Sequence, residues 1–561
     1  MSGLLEQLDG AISDLFQGWN IYSTVLLVGI LGFAGWVVAN NADADTHPLL
    51  LARQAQASYV RQPRESAVFR SPETPHGYPL RTGLAVKPPG APMYSAGKDG
   101  DLRDIWRRVT GEIPLEKKAS SSGTATIMTA FGKEDISEHN IPGVSKEIAI
   151  IGKHLQEHSA KRVAVYLPNS LEFLAVLFAG AFYGFTPILI PYNQPHTTLV
   201  ELLQAAGADS LIAQAGSVPL ADVTRSVPNL RQIVWTVEKT SRHMDWSEVP
   251  EGIGGKVDLS VWHELVQDSK HTEDVLPSDG AKAPGVVFLW QEAVGKPAEI
   301  VEFTQQNIAA AVGSLITSLP TVHRFSASDT FLPVDAFTNS YCLCLTLAAL
   351  FSHSTVILNS VAGPGVDLTL ATRALAPTIV VVSAETAAKV HSTTTASAVG
   401  GLKQLAHHLE SRVLASGRLP TSSLLTPARA AIGSTPGKLR LVFTSERAGL
   451  NTPPLSSKDL SDLRIYTQAR IVYALTAAKI AGAVAQTNMY DYRLGASSSK
   501  HSHFGVPLSS LEVKVKDTPT LKTTEEQSVG ELVVIGSSVA GGEASLGFNA
   551  TFREDHTLAY V

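Results

Sequence analysis

A chain of 561 residues, 44% hydrophobic and 17% charged, is long enough for two or three domains around a substantial core and too apolar to be disordered. Its formal net charge of −6, with no basic run interleaved with aromatics, argues against a general nucleic-acid binder. The two cysteines, Cys342 and Cys344, sit one residue apart in an apolar segment. They are too close for an ordinary disulfide and too few for a closed zinc site, so core packing in a reducing compartment is expected.

The first predicted element is a membrane anchor over residues 21–39, after a short N-terminal segment, residues 1–20. The run IYSTVLLVGILGFAGWVVA has no charge between Asp14 and Asp43, and its length matches the roughly 20 residues a helix needs to cross a bilayer. Trp19, Tyr22 and Trp36 lie near its ends, where aromatic rings favour the headgroup region. A signal peptide fits less well, because Glu6, Asp9 and Asp14 precede the run with no Lys or Arg, although Ala42-Asp43-Ala44 resembles a cleavage site. A buried core helix fits less well too, being rarely apolar all round. Arg53, Arg61, Arg64 and Arg70 follow the run, so the positive-inside tendency puts the large body in the cytosol. Asn549-Ala550-Thr551 would be glycosylated only if the body were lumenal.

Residues 40–123 are rich in Pro, Arg and Gly and predict an extended segment packing over the body, with a short helix over 101–109 and a break at 120–123. From residue 124 to 508 apolar strands alternate with helices. Helices are expected over 146–158 and 170–183, and strands over 162–167, 187–190, 210–212, 232–237, 285–289, 355–358, 378–382 and 439–443. Short β-branched runs between amphipathic helices indicate an α/β fold with parallel sheets. Over 509–561 the rhythm changes to LEVKVKD and GELVVIG, a smaller antiparallel β-rich unit.

Five segments in order resemble the AMP-binding, adenylate-forming enzymes, long-chain acyl-CoA synthetases in particular. They are Arg162 to Ser170 with the helix ending Ala181-Phe182-Tyr183-Gly184; Phe331-Leu332-Pro333-Val334; Tyr473-Ala474-Leu475-Thr476-Ala477; Gly505-Val506-Pro507 through Asp517; and Gly530-Glu531-Leu532. The resemblance implies a large domain of two stacked α/β subdomains with parallel sheets and a small β-barrel-like unit. It also implies chemistry in which ATP and Mg²⁺ convert a carboxylate to an acyl-adenylate and coenzyme A accepts the acyl group.

The residues that would carry this chemistry depart from the family pattern. The phosphate loop, Thr-Ser-Gly-Thr-Thr-Gly-x-Pro-Lys-Gly in the family, reads Trp290-Gln291-Glu292-Ala293-Val294-Gly295-Lys296-Pro297 and continues Ala298-Glu299. The hydroxyls are gone, and two glycine positions carry carboxylates. A carboxylate beside a phosphate costs on the order of a few kcal/mol. Lys296 occupies the variable position and is expected to be a solvated surface lysine. The metal-binding glutamate of Tyr-Gly-x-Thr-Glu is Ala477, which has no side-chain oxygen for a hard cation. Tyr473, whose family counterpart stacks on adenine, is expected to be kept for structure. Gln305 and Ala336 stand where many relatives carry histidine. Glu446-Arg447 replaces small residues beside the adenine pocket, either as a surface ion pair or as a plug. The C-terminal lid domain that the family places after this point does not follow Val561.

Other chemistry finds no support: there is no nucleophile elbow, no His-Glu-x-x-His and no P-loop, and Gly433 to Lys438 has the wrong spacing. His407-His408 and His501-Ser502-His503 are expected on solvent-facing loops or helix ends. The reading that follows is a membrane-anchored pseudoenzyme without catalytic residues, bound cofactor or metal, serving as a binding or scaffold subunit. Its expected partners are the membrane, a protein at that membrane and an acyl chain, with no nucleic acid. The endoplasmic reticulum and mitochondrial outer membrane suit such an anchor, as do peroxisomes and lipid droplets. The alternatives are a long-chain fatty acid–CoA ligase with an atypical ATP site and a truncated gene product.

Overall fold

The computed structural model describes residues 18–40, 43–87, 90–92, 94–113, 125–131, 135–237, 257–268, 276–277, 282–420, 427–435, 437–495, 499–524 and 528–561. The acidic residues ahead of residue 18 and the predicted break at 120–123 lie outside them. Two compact units result, residues 1–47 and residues 48–561.

In the first unit the apolar run forms one helix, Ile21–Asn40, of 20 residues. Asn20 starts it, its side chain accepting from the Tyr22 and Ser23 amides at 2.9 and 3.1 Å. Tyr22, Val25, Leu26, Val28, Ile30, Leu31 and Phe33 are exposed. Side chains are described only through Gly35 and at Val37, and among the described residues no helix is long and apolar enough to cross a membrane. The assignment of residues 21–39 as a bilayer span thus gains a helix but not a demonstrated span.

The second unit is built on three sheets. The first has 7 strands, in the order Ala298–Phe303, Val286–Gln291, Thr186–Leu189, Arg162–Tyr166, Ser210–Gln214, Gln232–Thr236 and Asp258–Val261. All neighbours are parallel except the first pair, an antiparallel hairpin. The second has 9 strands, with a parallel centre running from Arg470–Thr476 through Leu441–Arg447, Ile379–Ser383, Thr330–Pro333 and Thr355–Asn359 to Thr126–Phe131. Its central strands are buried on both faces, as parallel strands covered by helices must be. The helices start and stop where capping chemistry dictates. Ser170 accepts from the Phe173 amide to begin Leu171–Tyr183, and Gly184, at φ 84°, ends it in a left-handed turn that disfavours a side chain. Ser340–Phe351, buried along its whole length, holds both free cysteines, and burial pushes the Cys344 thiol up to about 12.

The third sheet has 6 antiparallel strands and differs from expectation. Leu511–Lys516, Val529–Gly536, Glu543–Phe552 and Leu558–Tyr560 come from the predicted β-rich unit, but Gln56–Ala57 and Phe69–Arg70 come from the segment predicted as a linker. The ladder is open, edged by Gln56–Ala57 and Leu558–Tyr560, not barrel-like. Arg70 and Arg61 pair with the buried Glu512, so these arginines fasten the segment to the sheet. The predicted 101–109 helix is Leu102–Thr110, with Asp101 and Asp104 forming a capping box.

Candidate functional site

The segment from Trp290 to Pro297 closes the hairpin between Val286–Gln291 and Ala298–Phe303. Its backbone is tied down from both sides. The Lys296 amide donates to the Ala293 carbonyl at 3.0 Å, closing a turn in which Gly295 takes φ 83°. The Gly295 amide donates to Gln194 Oε1 at 3.1 Å. The buried amides of Gln194 and Gln291 bond each other reciprocally at 2.9 and 3.0 Å, and Gln291 Nε2 also reaches the Lys296 carbonyl. At least two amides of this loop are therefore spent on the protein itself. Glu292, Ala293, Val294, Lys296 and Pro297 are exposed, so Lys296 takes the surface position the sequence suggests.

Above this hairpin lies the end of the strand Leu441–Arg447. The Arg447 guanidinium stacks over the Trp290 ring, 4.5 Å from its centroid, and Nη2 donates to the Gln291 carbonyl at 3.0 Å. Burial draws the Arg447 guanidinium below its usual range, against the pull of Asp335 and Glu385. Glu446, only 3% exposed, points to the other side. Tyr473 Oη donates to its Oε2, and His501 Nδ1 lies 3.1 Å from its Oε1. The Tyr560 ring meets His501 edge-on at 4.9 Å, near the same carboxylate. Burial first, and then Glu446, push both tyrosine hydroxyls far above their ordinary range. The Tyr473 and Phe504 rings meet at 5.2 Å, and Phe504 meets Tyr560 edge-on at 5.0 Å. Register places Thr444 opposite Tyr473 and Glu446 opposite Leu475, so adjacent parallel strands aim these groups into one volume.

Glu446 and Arg447 therefore do not form a surface ion pair. Glu446 is buried and Arg447 half-buried, and they point apart, Arg447 onto Trp290 and Glu446 to Tyr473. Thr476 holds the strand end, donating to the Glu446 carbonyl at 3.0 Å, while Ala474, Leu475 and Ala477 are buried in packing.

One further expectation is corrected in part. His501, on a loop and half-buried, sits on Glu446, whereas His503, 6% exposed, is buried, lies 3.4 Å from Asp491 and accepts from the Gly505 amide. Burial alone would raise the Asp491 carboxyl, but Arg493 and His503 together hold it far below the carboxylate range. His407 is likewise engaged, with Asp462 at 3.0 Å, whereas His408 is exposed. No group of three or more metal-ligating side chains occurs among the described residues. Gln305 is buried and structural, donating to the Pro284 carbonyl at 2.7 Å; Ala336 is half-buried.

Sequence reasoning missed Gln194, Tyr560 and Phe504. Gln194 carries no signal of its own, since its role depends on Gln291, 97 residues away. Two further segments of the resemblance, Arg162 to Ser170 and Phe331 to Val334, meet at a seam. Asn169 Nδ2 donates to the Asp335 carbonyl at 2.8 Å and its Oδ1 accepts from the Phe337 amide at 2.9 Å, joining the two large sheets' regions. Burial raises the Asp335 carboxyl, which accepts from Asn339 at 2.7 Å.

No protein-family model matches the sequence, and no curated protein does so either. Among solved structures, the chain is similar to the anthranilate CoA ligase AuaEII in complex with anthranoyl-AMP, with a TM-score of 0.58 at 14% identity over 84% of this chain and 79% of that one. It is similar to a protein of Rhodopseudomonas palustris described as a long-chain-fatty-acid CoA ligase, TM-score 0.55 at 16% identity over 82% and 98% of the chains. The N-terminal subdomain of Klebsiella oxytoca NpsA with 3-hydroxybenzoyl-AMSN gives 0.52 at 17% identity over 82% and 97%. The fold is that of adenylate-forming enzymes.

Proposed function

We propose that this chain is a membrane-anchored protein of the acyl-activating fold that no longer activates carboxylates and serves as a binding or scaffold subunit. The observation that carries the reading is the filled volume between Trp290 and Tyr473. Arg447 stacks on one side of it, and Glu446, held by Tyr473 and His501, occupies the other. The residues present do not fit ATP and Mg²⁺. The loop amides of Gly295 and Lys296 are committed, Glu292 would face a phosphate, and Ala477 offers no ligand. The buried Glu446 carboxylate would repel a polyanion as well. A protein at the same membrane is the proposed partner, with an acyl chain as a further ligand.

The proposed anchor rests on the sequence run over residues 21–39, uncharged between Asp14 and Asp43, which lies in the helix Ile21–Asn40. The reading places the body in the cytosol, on the endoplasmic reticulum, the mitochondrial outer membrane or a peroxisomal or lipid-droplet surface. Asn549 is exposed, so its glycosylation in cells would contradict that orientation. Catalysis is tested by ATP–pyrophosphate exchange with a panel of fatty and aryl acids. Background exchange is expected with all of them; robust exchange with any would establish the ligase alternative instead.

A further inference from the structure

The helix Gly401–Ala415 carries an apolar stripe that nothing covers among the described residues. Leu402, Leu405 and Leu409 are 73%, 49% and 44% exposed, and Val399, just ahead of the helix, is 78% exposed. Positions i, i+3 and i+7 fall within about 60° of one another around a helix, so the three leucines form one row. The opposing contacts are different: Ala406, Glu410 and Leu414 face inward, and Glu410 is paired with Arg429 at 2.8 Å. Glu410 is the only acid of this helix, and it is buried; the exposed charged or titratable side chains are Lys403, His408 and Arg412. Around the helix Arg412 falls next to the leucine row, while Lys403 lies about 100° from Leu402 and donates to the Ser397 carbonyl at 3.0 Å; the helix exposes cations and no acid.

We propose that the Gly401–Ala415 helix is an interfacial element that lies on an anionic lipid surface, its leucine row entering the headgroup boundary. An exposed leucine row on a helix whose exposed charges are Lys and Arg is the pattern of helices that lie in the plane of a bilayer interface. The cations complement anionic lipid and disfavour docking on a like-charged patch of a second copy. Three leucines and Val399 also fall well short of the roughly 1,200–2,000 Å² that a stable protein interface buries. A weak lipid contact is sufficient if the chain is already tethered, because the second attachment is then intramolecular. In this respect the inference rests on the anchor reading: eight peptide links separate Asn40 from Pro48, at most about 28 Å of chain.

The full chain is mixed with vesicles of neutral or anionic lipid after labelling Leu402→Cys with an environment-sensitive dye. Cys342 and Cys344 are buried and leave the new thiol as the reactive one. Val294→Cys, in the exposed hairpin turn, serves as the comparison site. The expected result is a blue shift at position 402 with anionic vesicles, quenched by lipid-borne quenchers and absent at position 294. Replacing Lys403 or Arg412 by Gln should raise the lipid needed for half the shift about fivefold each. Co-flotation of the chain reports the anchor separately. Flotation without a dye response overturns the docking and leaves the anchor; a response without flotation does the reverse; neither overturns both. An equal response at position 294, or a lipid-free shift that grows with protein concentration, also overturns the docking, the latter assigning the row to a second copy.

Discussion

The seam at Asn169 and the cluster at Glu446 are both buried polar networks, yet they stand in different relations to the fold. At the seam a side chain bonds backbone groups of another segment: Asn169 serves the Asp335 carbonyl and the Phe337 amide. The junction asks for one side-chain type and for backbone groups that every sequence supplies. At the cluster side chains bond side chains: Glu446 with Tyr473 and His501. Such a network needs several residue types at once, each placed by a different strand or loop. One region keeps an architecture; the other commits its space to the protein itself.

The comparison is broken most directly at the seam. Asn169→Ala leaves the buried Phe337 amide unpaired and the Asp335 carbonyl with the Cys342 thiol alone, and is expected to cost about 2 kcal/mol in urea unfolding. A loss near zero would mean the seam does not hold the fold.

Asp462, between His391 and His407, sharpens the scaffold side. Burial raises its carboxyl, but the two histidines outweigh that and bring it to about 2. A depressed carboxyl stabilises the fold above its unfolded value near 4 and loses that contribution as pH falls through about 2. Asp462→Asn should therefore cost about 2 kcal/mol at neutral pH, with the difference closing between about pH 4 and 2. A penalty independent of pH would assign the effect to packing.

In the cluster, Tyr473→Phe should cost about 1 kcal/mol, since His501 still serves Glu446. A tyrosine raised in the folded state stabilises it fully below its unfolded value near 10, and that contribution fades as pH climbs above it. The variant should lose stability less steeply than the parent above about pH 10. Identical alkaline limbs would detach Tyr473 from the cluster. The smallest effect belongs to Lys296→Gln, on the exposed hairpin turn, expected within about 0.5 kcal/mol of the parent.

Most of the scaffold is legible in the sequence because its signals are local. The runs at 162–167 and 210–212 are β-branched and apolar, and the structure returns Arg162–Tyr166 and Ser210–Gln214. The strands Gln56–Ala57 and Phe69–Arg70 are too short for a period of two to register, so their segment reads as linker. At the site, the departures from the family pattern at Glu292 and Ala477 are visible as residue types, but the contacts that fill the space are not. Arg447 and Trp290 are separated by more than a hundred positions, and His501 reads as a polar loop residue until Glu446 is placed beside it.

The central claim is that the nucleotide volume is filled, and equilibrium binding of Mg–ATP to the full chain tests it most directly. Titration calorimetry at physiological ATP should give no saturable heat and no thermal stabilisation. Saturable binding with a matching rise in melting temperature would contradict the account, because it would require Arg447 and Glu446 to vacate the space they occupy.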